Sequence, residues 1–279
     1  MRIQIGIGNR EDLLYYLDNG ADEFYGGIER IPGHLYGGEN ISSESEFLKL
    51  CELAHLKNKK FFFVANEVRS DAFYDTIKTI KYLVKNGIDG VIIRDLALLN
   101  RLKEEGVKTY YILSSLALCF NRDCLGFYSK YGIKRIALPE QITVEEASDL
   151  VKNKFGIETE MFMTAREYCV VLNGFCYLKQ FNGDCICRAG FDFGNSKFAM
   201  PRPSVKEHFE NLYKLYKMGV DILKIGRHTD SRYIRFEFKE LLALKALLES
   251  SISLENFINN AIKTHRKFGE ILLRWERKK

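Results

Sequence analysis

Short runs of β-branched and aromatic residues alternate along the chain with stretches whose apolar positions recur at i, i+3 and i+4. The runs are Ile3–Ile7, Glu23–Gly26, Lys60–Val64, Gly90–Arg94, Thr109–Leu113, Arg135–Leu138, Glu158–Met163 and Ile222–Ile225, and each predicts a strand. Between them, Leu13, Leu14 and Leu17, then Phe47, Leu50, Leu53 and Ala54, then Ile77, Ile80, Leu83 and Val84 fall on single helical faces. Several helical stretches close on a glycine just before the next strand, as at Asn19-Gly20, Asn86-Gly87 and Met218-Gly219. Glycine there supplies the left-handed residue that ends a helix.

Phe61-Phe62-Phe63-Val64 and Val91-Ile92-Ile93 are apolar on both faces, as parallel strands covered by helices require. Eight β/α repeats in 279 residues match the count and size of a TIM-type (β/α)8 barrel, an α/β fold, over residues 1–250. A doubly wound open sheet is the rival, but Gly6-Ile-Gly8-Asn-Arg-Glu lacks the third glycine of its fingerprint. The seventh connection, 164–203, is unusually long. Over 251–279, Ser253 is placed to cap a final amphipathic helix that buries Leu254, Phe257, Ile258, Ala261 and Ile262. Glu160 and Lys224 fall mid-strand on neighbouring strands seven and eight. A lone charge there is costly to bury, so the two are expected to pair inside the barrel.

Composition sharpens this picture in three places. A content of 46% hydrophobic and 28% charged residues with only four prolines excludes bulk disorder and a flexible linker, which leaves one large domain. The net charge of +5 resides in residues 261–279, where seven Lys/Arg face two acids. The body is therefore balanced. The tail is a solvated helix end or a recruiting surface for RNA or another acidic partner. No run approaches the ~18 apolar residues of a membrane span. Arg10, Glu11 and Asp12 come too early for a secretory signal, so a cytoplasmic protein is expected. Seven cysteines, unevenly spread, do not resemble an extracellular disulfide framework.

Four of them, Cys169, Cys176, Cys185 and Cys187, lie in the seventh connection with spacing C-x6-C-x8-C-x-C. A barrel places such a connection at the face where active sites form. Four thiols from one loop can hold a metal tetrahedrally, as structural zinc or as an iron–sulfur cluster. Unligated cysteines are the plain alternative. Cys51, Cys119 and Cys124 are isolated and read as ordinary thiols, and His55 reads as core or helix-end packing.

A series of short segments resembles a known family. Gly20-Ala-Asp-Glu-Phe-Tyr-Gly-Gly27, Ala54-His55 followed by Phe61–Asn66, Arg135-Ile-Ala-Leu-Pro-Glu140, Glu158–Phe162, Cys169-x6-Cys176 and Gly219-Val-Asp-Ile-Leu-Lys-Ile-Gly-Arg227 together resemble the collagenase-like peptidase family of unassigned catalytic type, U32. This family also contains the oxygen-independent hydroxylases of ubiquinone synthesis and the tRNA and rRNA hydroxylation proteins. The resemblance runs over roughly residues 3–245. It implies a barrel, and in the hydroxylase branches a 4Fe–4S cluster on the loop cysteines. This chain differs from the family pattern in its Cys185-x-Cys187 pair, in Thr164-Ala165 after the seventh strand, and in the missing acid of Lys224-Ile-Gly-Arg227.

Strand ends supply a ring of polar groups: Asn66, Asp95, Ser114, Ser115, Glu140, Arg166, Arg227 and His228. Glu140, Asp95 and Arg227 are the catalytic candidates, with carboxylates as acid or base. Asn66, Ser115, Arg166 and His228 are candidates for binding a small or acidic substrate, the arginine in bidentate fashion. His34 and Glu39 lie in a glycine-bearing loop that either closes over a ligand or is plain surface. No G-x-S-x-G elbow, H-E-x-x-H helix or Walker loop is present. Three functional readings follow: a cluster-binding oxygen-independent hydroxylase, a zinc-stabilised peptidase, and a non-catalytic cluster-binding subunit that pairs with a related chain.

Overall fold

The computed structural model describes residues 1–31, 40–66, 68–163, 190–199, 203–226 and 231–276. Eight parallel strands close into a barrel: β1 (Arg2–Gly6), β2 (Glu23–Gly26), β3 (Lys60–Ala65), β4 (Gly90–Ile93), β5 (Tyr110–Leu113), β6 (Ile133–Ala137), β7 (Glu158–Phe162) and, after a short hairpin, β10 (Ile222–Ile225). All eight anticipated strands are present, their ends displaced by at most two residues. Closure is made by β10 pairing with both β7 and β1. The surrounding helices are α1 (Arg10–Asp18), α2 (Glu44–His55), α3 (Phe73–Lys85), α4 (Leu96–Glu104), α5 (Arg122–Ser129), α6 (Val144–Val151), α7 (Val205–Met218) and α8 (Ser231–Glu249). This is a TIM-type barrel.

The apolar strand runs divide between two cores. Phe61 and Phe63 turn outward beneath the helices. Phe62 and Val64 turn inward with Tyr25, Ile92 and Ile112. A strand buried on both sides has no polar face to show, which is why the alternation is missing from the sequence. Gly219 ends α7 in the left-handed region at φ 103°, its N–H donating to the Tyr216 carbonyl, as the position before β10 required.

The seventh connection contains an element beyond the eight expected strands. Strands β8 (Gly190–Phe193) and β9 (Ser196–Ala199) form an antiparallel hairpin across Gly194-Asn195, with Gly194 at φ 59°. A Gly-Asn pair between two short aromatic-bearing runs is a recognised two-residue hairpin signal.

The last helix, α9 (Leu254–Glu276), starts at Ser253, whose hydroxyl accepts from the Asn256 N–H at 3.3 Å. Phe257, Ile258 and Ala261 are buried where the helix packs on α7 and α8. Among the described residues no helix is long and apolar enough to cross a membrane.

Candidate active site at the C-terminal mouth of the barrel

The other half of the barrel interior is charged. Lys224 on β10 donates to Glu160 on β7 at 2.6 Å, which is the anticipated pair. A third residue dominates the cluster, however. Arg135 is fully buried, with Glu23 at 2.5 Å, Glu158 at 3.1 Å and Glu160 at 3.3 Å from its guanidinium nitrogens. Arg2 joins from below, reaching Glu23 at 2.7 Å and Glu158 at 2.5 Å. Three cations thus meet three carboxylates, so the cluster carries no net charge.

A register shift between β5 and β6 places Arg135 opposite Ile112 instead of Lys134, and the skipped Lys134 is exposed. A bulge of this kind re-aims a side chain. Without it the lysine would enter the interior in place of the arginine. Burial disfavours the charged form of Glu158. Hydrogen bonds and charges from Tyr110, Arg135 and Arg2 outweigh that effect and hold its carboxyl below the usual range. Burial pulls the Lys224 amine below the usual lysine range, against the pull of Glu160.

Lys224 forms the upper edge of this cluster. Its ammonium lies 4.5 Å from the Tyr25 ring centroid and 5.5 Å from that of Phe162. Tyr25 is itself fixed by donating to the Ile225 carbonyl at 2.8 Å. Above it, the strand ends present the polar groups of the mouth. Asn66 follows β3, is 5% exposed, and donates to the Ser114 hydroxyl at 3.1 Å. Its side-chain carbonyl oxygen is buried without a hydrogen-bond partner, which is rare for a buried polar atom. Arg94, after β4, donates to the Asn66 backbone carbonyl at 2.5 Å. Ser114 extends the β4–β5 ladder through its N–H to Ile93, and its hydroxyl also accepts from the Leu116 N–H.

The predicted residues therefore separate. Asn66 and Ser114 are in contact, and Ser115 is half-buried at the start of the following turn. Glu140, beyond β6, is half-buried and has interacting neighbours. Asp95 caps α4, its carboxylate accepting from the Leu98 N–H at 2.7 Å, which gives that side chain a structural task at the mouth. Arg166, Arg227, His228 and the cysteines Cys169, Cys176, Cys185 and Cys187 lie outside the described residues, as do His34 and Glu39. Arg94 and Arg135 were missed. Arg135 had only a weak signal, a charge next to the apolar run Ile136–Leu138 but beside a second cation, Lys134, in the same strand; Arg94 had none beyond its place at a strand end.

Comparison with known proteins agrees with this architecture. The model of "Peptidase family U32" matches residues 8–241. A protein of Porphyromonas gingivalis named "Collagenase" is 26% identical over 263 residues, covering 83% of this chain and 62% of that protein. The Escherichia coli "tRNA hydroxylation protein P" is 27% identical over 172 residues, covering 61% of this chain and 37% of that protein. This chain thus spans less than two thirds of the length of either relative. Among solved structures, a U32 peptidase superposes with a TM-score of 0.52 at 13% identity, covering 81% of this chain and 93% of that one. Dihydrodipicolinate synthase from Aquifex aeolicus superposes with a TM-score of 0.53 at 11% identity, covering 97% and 81%. At such identities these two likenesses concern the barrel alone.

Proposed function

Since the chain belongs to peptidase family U32, we propose that it is a cytoplasmic enzyme that binds a 4Fe–4S cluster and catalyses oxygen-independent hydroxylation or a related oxygen transfer. The supporting observation is topological. β7 ends at the C-terminal mouth next to β10, with Phe162 paired to Lys224. The unpaired Asn66 acceptor stands at the same mouth after β3, and the chain leaving β7 carries Cys169, Cys176, Cys185 and Cys187. Four thiols are the donor set that such a cluster takes, and Cys51, Cys119 and Cys124 are free thiols, as a reducing compartment keeps them. When bound, the cluster would supply one-electron chemistry close to the substrate.

The protein's own groups would do the rest. Asn66, anchored on Ser114, offers an acceptor to a substrate hydroxyl or amide. Arg166, Arg227 and His228 would hold an acidic substrate or oxygen donor, and Glu140 would move the proton. Lys224 and its counter-ions set the field beneath the site while excluding water from the barrel. Anaerobically isolated protein is expected to be brown, with iron and acid-labile sulfide in near-equal amounts, and serine at the loop cysteines removes both. Colourless protein whose loop cysteines carry zinc instead of iron would overturn this proposal in favour of a peptidase, a reading that the relative named "Collagenase" supports.

Two partner classes accompany the proposal. The relatives named for tRNA hydroxylation and the exposed Lys263, Arg266, Lys267 and Arg274 of α9 support an RNA substrate guided by the basic tail. A related chain completing a heterodimer is the alternative. In that case the cluster-bearing protein is inert until the two are co-expressed.

A further inference from the structure

At the opposite end of the barrel, three side chains of metal-ligating type converge. Cys51 and His55 are one turn apart on the last stretch of α2, and Asp89 immediately precedes β4. The Cys51 Sγ lies 3.5 Å from the His55 Nε2, and the same nitrogen lies 2.8 Å from the Asp89 Oδ2. All three ligand atoms lie within 4.8 Å of one another. The carboxylate is held in place from behind, since its Oδ2 also accepts from the Phe61 N–H at 2.7 Å. Such outer support is typical of metal ligands. Cys51 is buried, whereas the His55 and Asp89 side chains are 41% and 25% exposed, so an ion can enter from solvent and keep a water.

A nucleophilic Cys–His–Asp arrangement is the competing reading, and two facts oppose it. The thiol and the carboxylate face the same imidazole nitrogen, which leaves no relay through the ring. The Cys51 side chain is also buried, whereas a nucleophilic thiol is at least partly exposed to its substrate.

We propose that Cys51, His55 and Asp89 form a zinc site with one open, water-filled position, which clips the end of α2 to the connection between β3 and β4. Thiolate, imidazole and carboxylate together suit a borderline-soft divalent ion. Tetrahedral zinc with bonds of about 2.0–2.3 Å places its ligand atoms roughly 3.2–3.6 Å apart. The sulfur–nitrogen distance already fits, and the nitrogen–oxygen distance has to open by a few tenths of an ångström. The sulfur–oxygen distance, within 4.8 Å, adjusts by rotation of the partly exposed His55 and Asp89 side chains. On binding, the thiol proton leaves to solvent, and the imidazole hydrogen that faces Asp89 is given up from Nε2 while Nδ1 takes one up, so the ring stays neutral and one proton is released. The site lies at the N-terminal face of the barrel, where stabilising features sit, away from the mouth where chemistry is assembled.

The loop cysteines can also take up zinc, so the test must resolve the site. Chelator-stripped protein is titrated with zinc sulfate alone. Carbethoxylation of His55 is then followed by peptide mass spectrometry on the unmodified chain. Zinc is expected to slow labelling of His55 at least tenfold, and to raise the thermal midpoint by on the order of 5 °C at a hundredfold excess over the dissociation constant. Cys51→Ala and His55→Gln should each bind one equivalent less zinc than the parent by equilibrium dialysis. Labelling of His55 unaffected by zinc, or equal stoichiometry in folded parent and variants, overturns the proposal. Because protection is read without any substitution, a variant that fails to fold leaves the test intact.

Discussion

Replacing Glu160 with glutamine keeps the shape while deleting one charge from the barrel interior and turning one of two acceptor oxygens, each of which accepts from a cation, into a donor amide. The carboxylate is fully buried, 2.6 Å from the Lys224 ammonium and 3.3 Å from the Arg135 guanidinium. At an effective dielectric near 20 those separations correspond to about 6 and about 5 kcal/mol of gross attraction. Keeping the carboxylate dehydrated offsets several kcal/mol of that sum. The variant also leaves Lys224 buried with no other anion in direct contact among the described residues. Removal of one member of such a cluster is expected to cost ~3–5 kcal/mol, equivalent to roughly 10 °C in midpoint for a chain of this size. Thermal and urea unfolding, followed by far-ultraviolet circular dichroism and by tyrosine fluorescence, would measure it. A midpoint within about 2 °C of the parent would refute the buried-charge argument. The double variant Glu160→Gln with Lys224→Met gives a second check. It should recover about half the loss, because an unpaired buried ammonium is then no longer present.

Other substitutions probe separate parts of the fold. Gly90→Ala would bring its new methyl group to 2.1 Å from the Tyr110 carbonyl oxygen, so the β4–β5 ladder must part; a loss of ~1–3 kcal/mol or more is expected in urea unfolding. Asp95→Ala should cost about 1 kcal/mol through loss of the α4 cap, and Asp95→Asn should restore it, since asparagine caps equally well. Burial, with the neighbouring charge of His265, drops His208 to about 4. A histidine held neutral in the fold takes up its proton more readily when unfolded, so stability should fall as pH drops from about 6.5 towards 4, by up to about 2 kcal/mol at pH 5. His208→Phe should flatten that part of the pH profile measured by thermal midpoint. If RNA binding runs through the tail, charge reversal at Lys263, Arg266 and Lys267 should reduce both affinity and its salt dependence in a filter-binding assay.

The barrel was legible because its signals are local and repeated. Runs such as Phe61–Val64 and Val91–Ile93, each flanked by a helical period and a glycine stop, report their own burial without reference to the rest of the chain. The Glu160–Lys224 pair could be anticipated because two charges inside apolar strands need a partner and the strands are neighbours. Arg135 escaped because its placement depends on the bulge at Tyr111/Ile112, a register decision between two strands that neither encodes alone. Asp95 looked like an acid at a strand end and serves as a helix cap; both tasks favour the same residue at the same junction. The Cys51–His55–Asp89 cluster needs a contact across 34 residues. Its only sequence trace is the i, i+4 spacing of cysteine and histidine on α2.

The interior also bears on how stability and activity are to be separated in this protein. TIM-type barrels commonly fill their interior with branched apolar side chains, and here Tyr25, Phe62, Val64, Ile92 and Ile112 do so on one side only. On the other side, Arg135 and Lys224 link carboxylates from β2 and β7, and Lys224 contacts the rings of Tyr25 and Phe162 at the mouth. A change low in the cluster, at Arg2 or Glu158, is therefore expected to lower the unfolding midpoint while leaving ligand binding at the mouth unchanged. A change at Lys224 should alter both, because its ammonium is at once a counter-ion to Glu160 and the cation nearest the aromatic floor of the site. Lys224→Met would distinguish the two effects when affinity for an anionic ligand is compared with that of Arg2→Met at matched fractions folded. Equal affinities in the two variants would show that the cluster only supports the scaffold. A selective loss in Lys224→Met would show that the charge which closes the barrel also sets the field of its mouth.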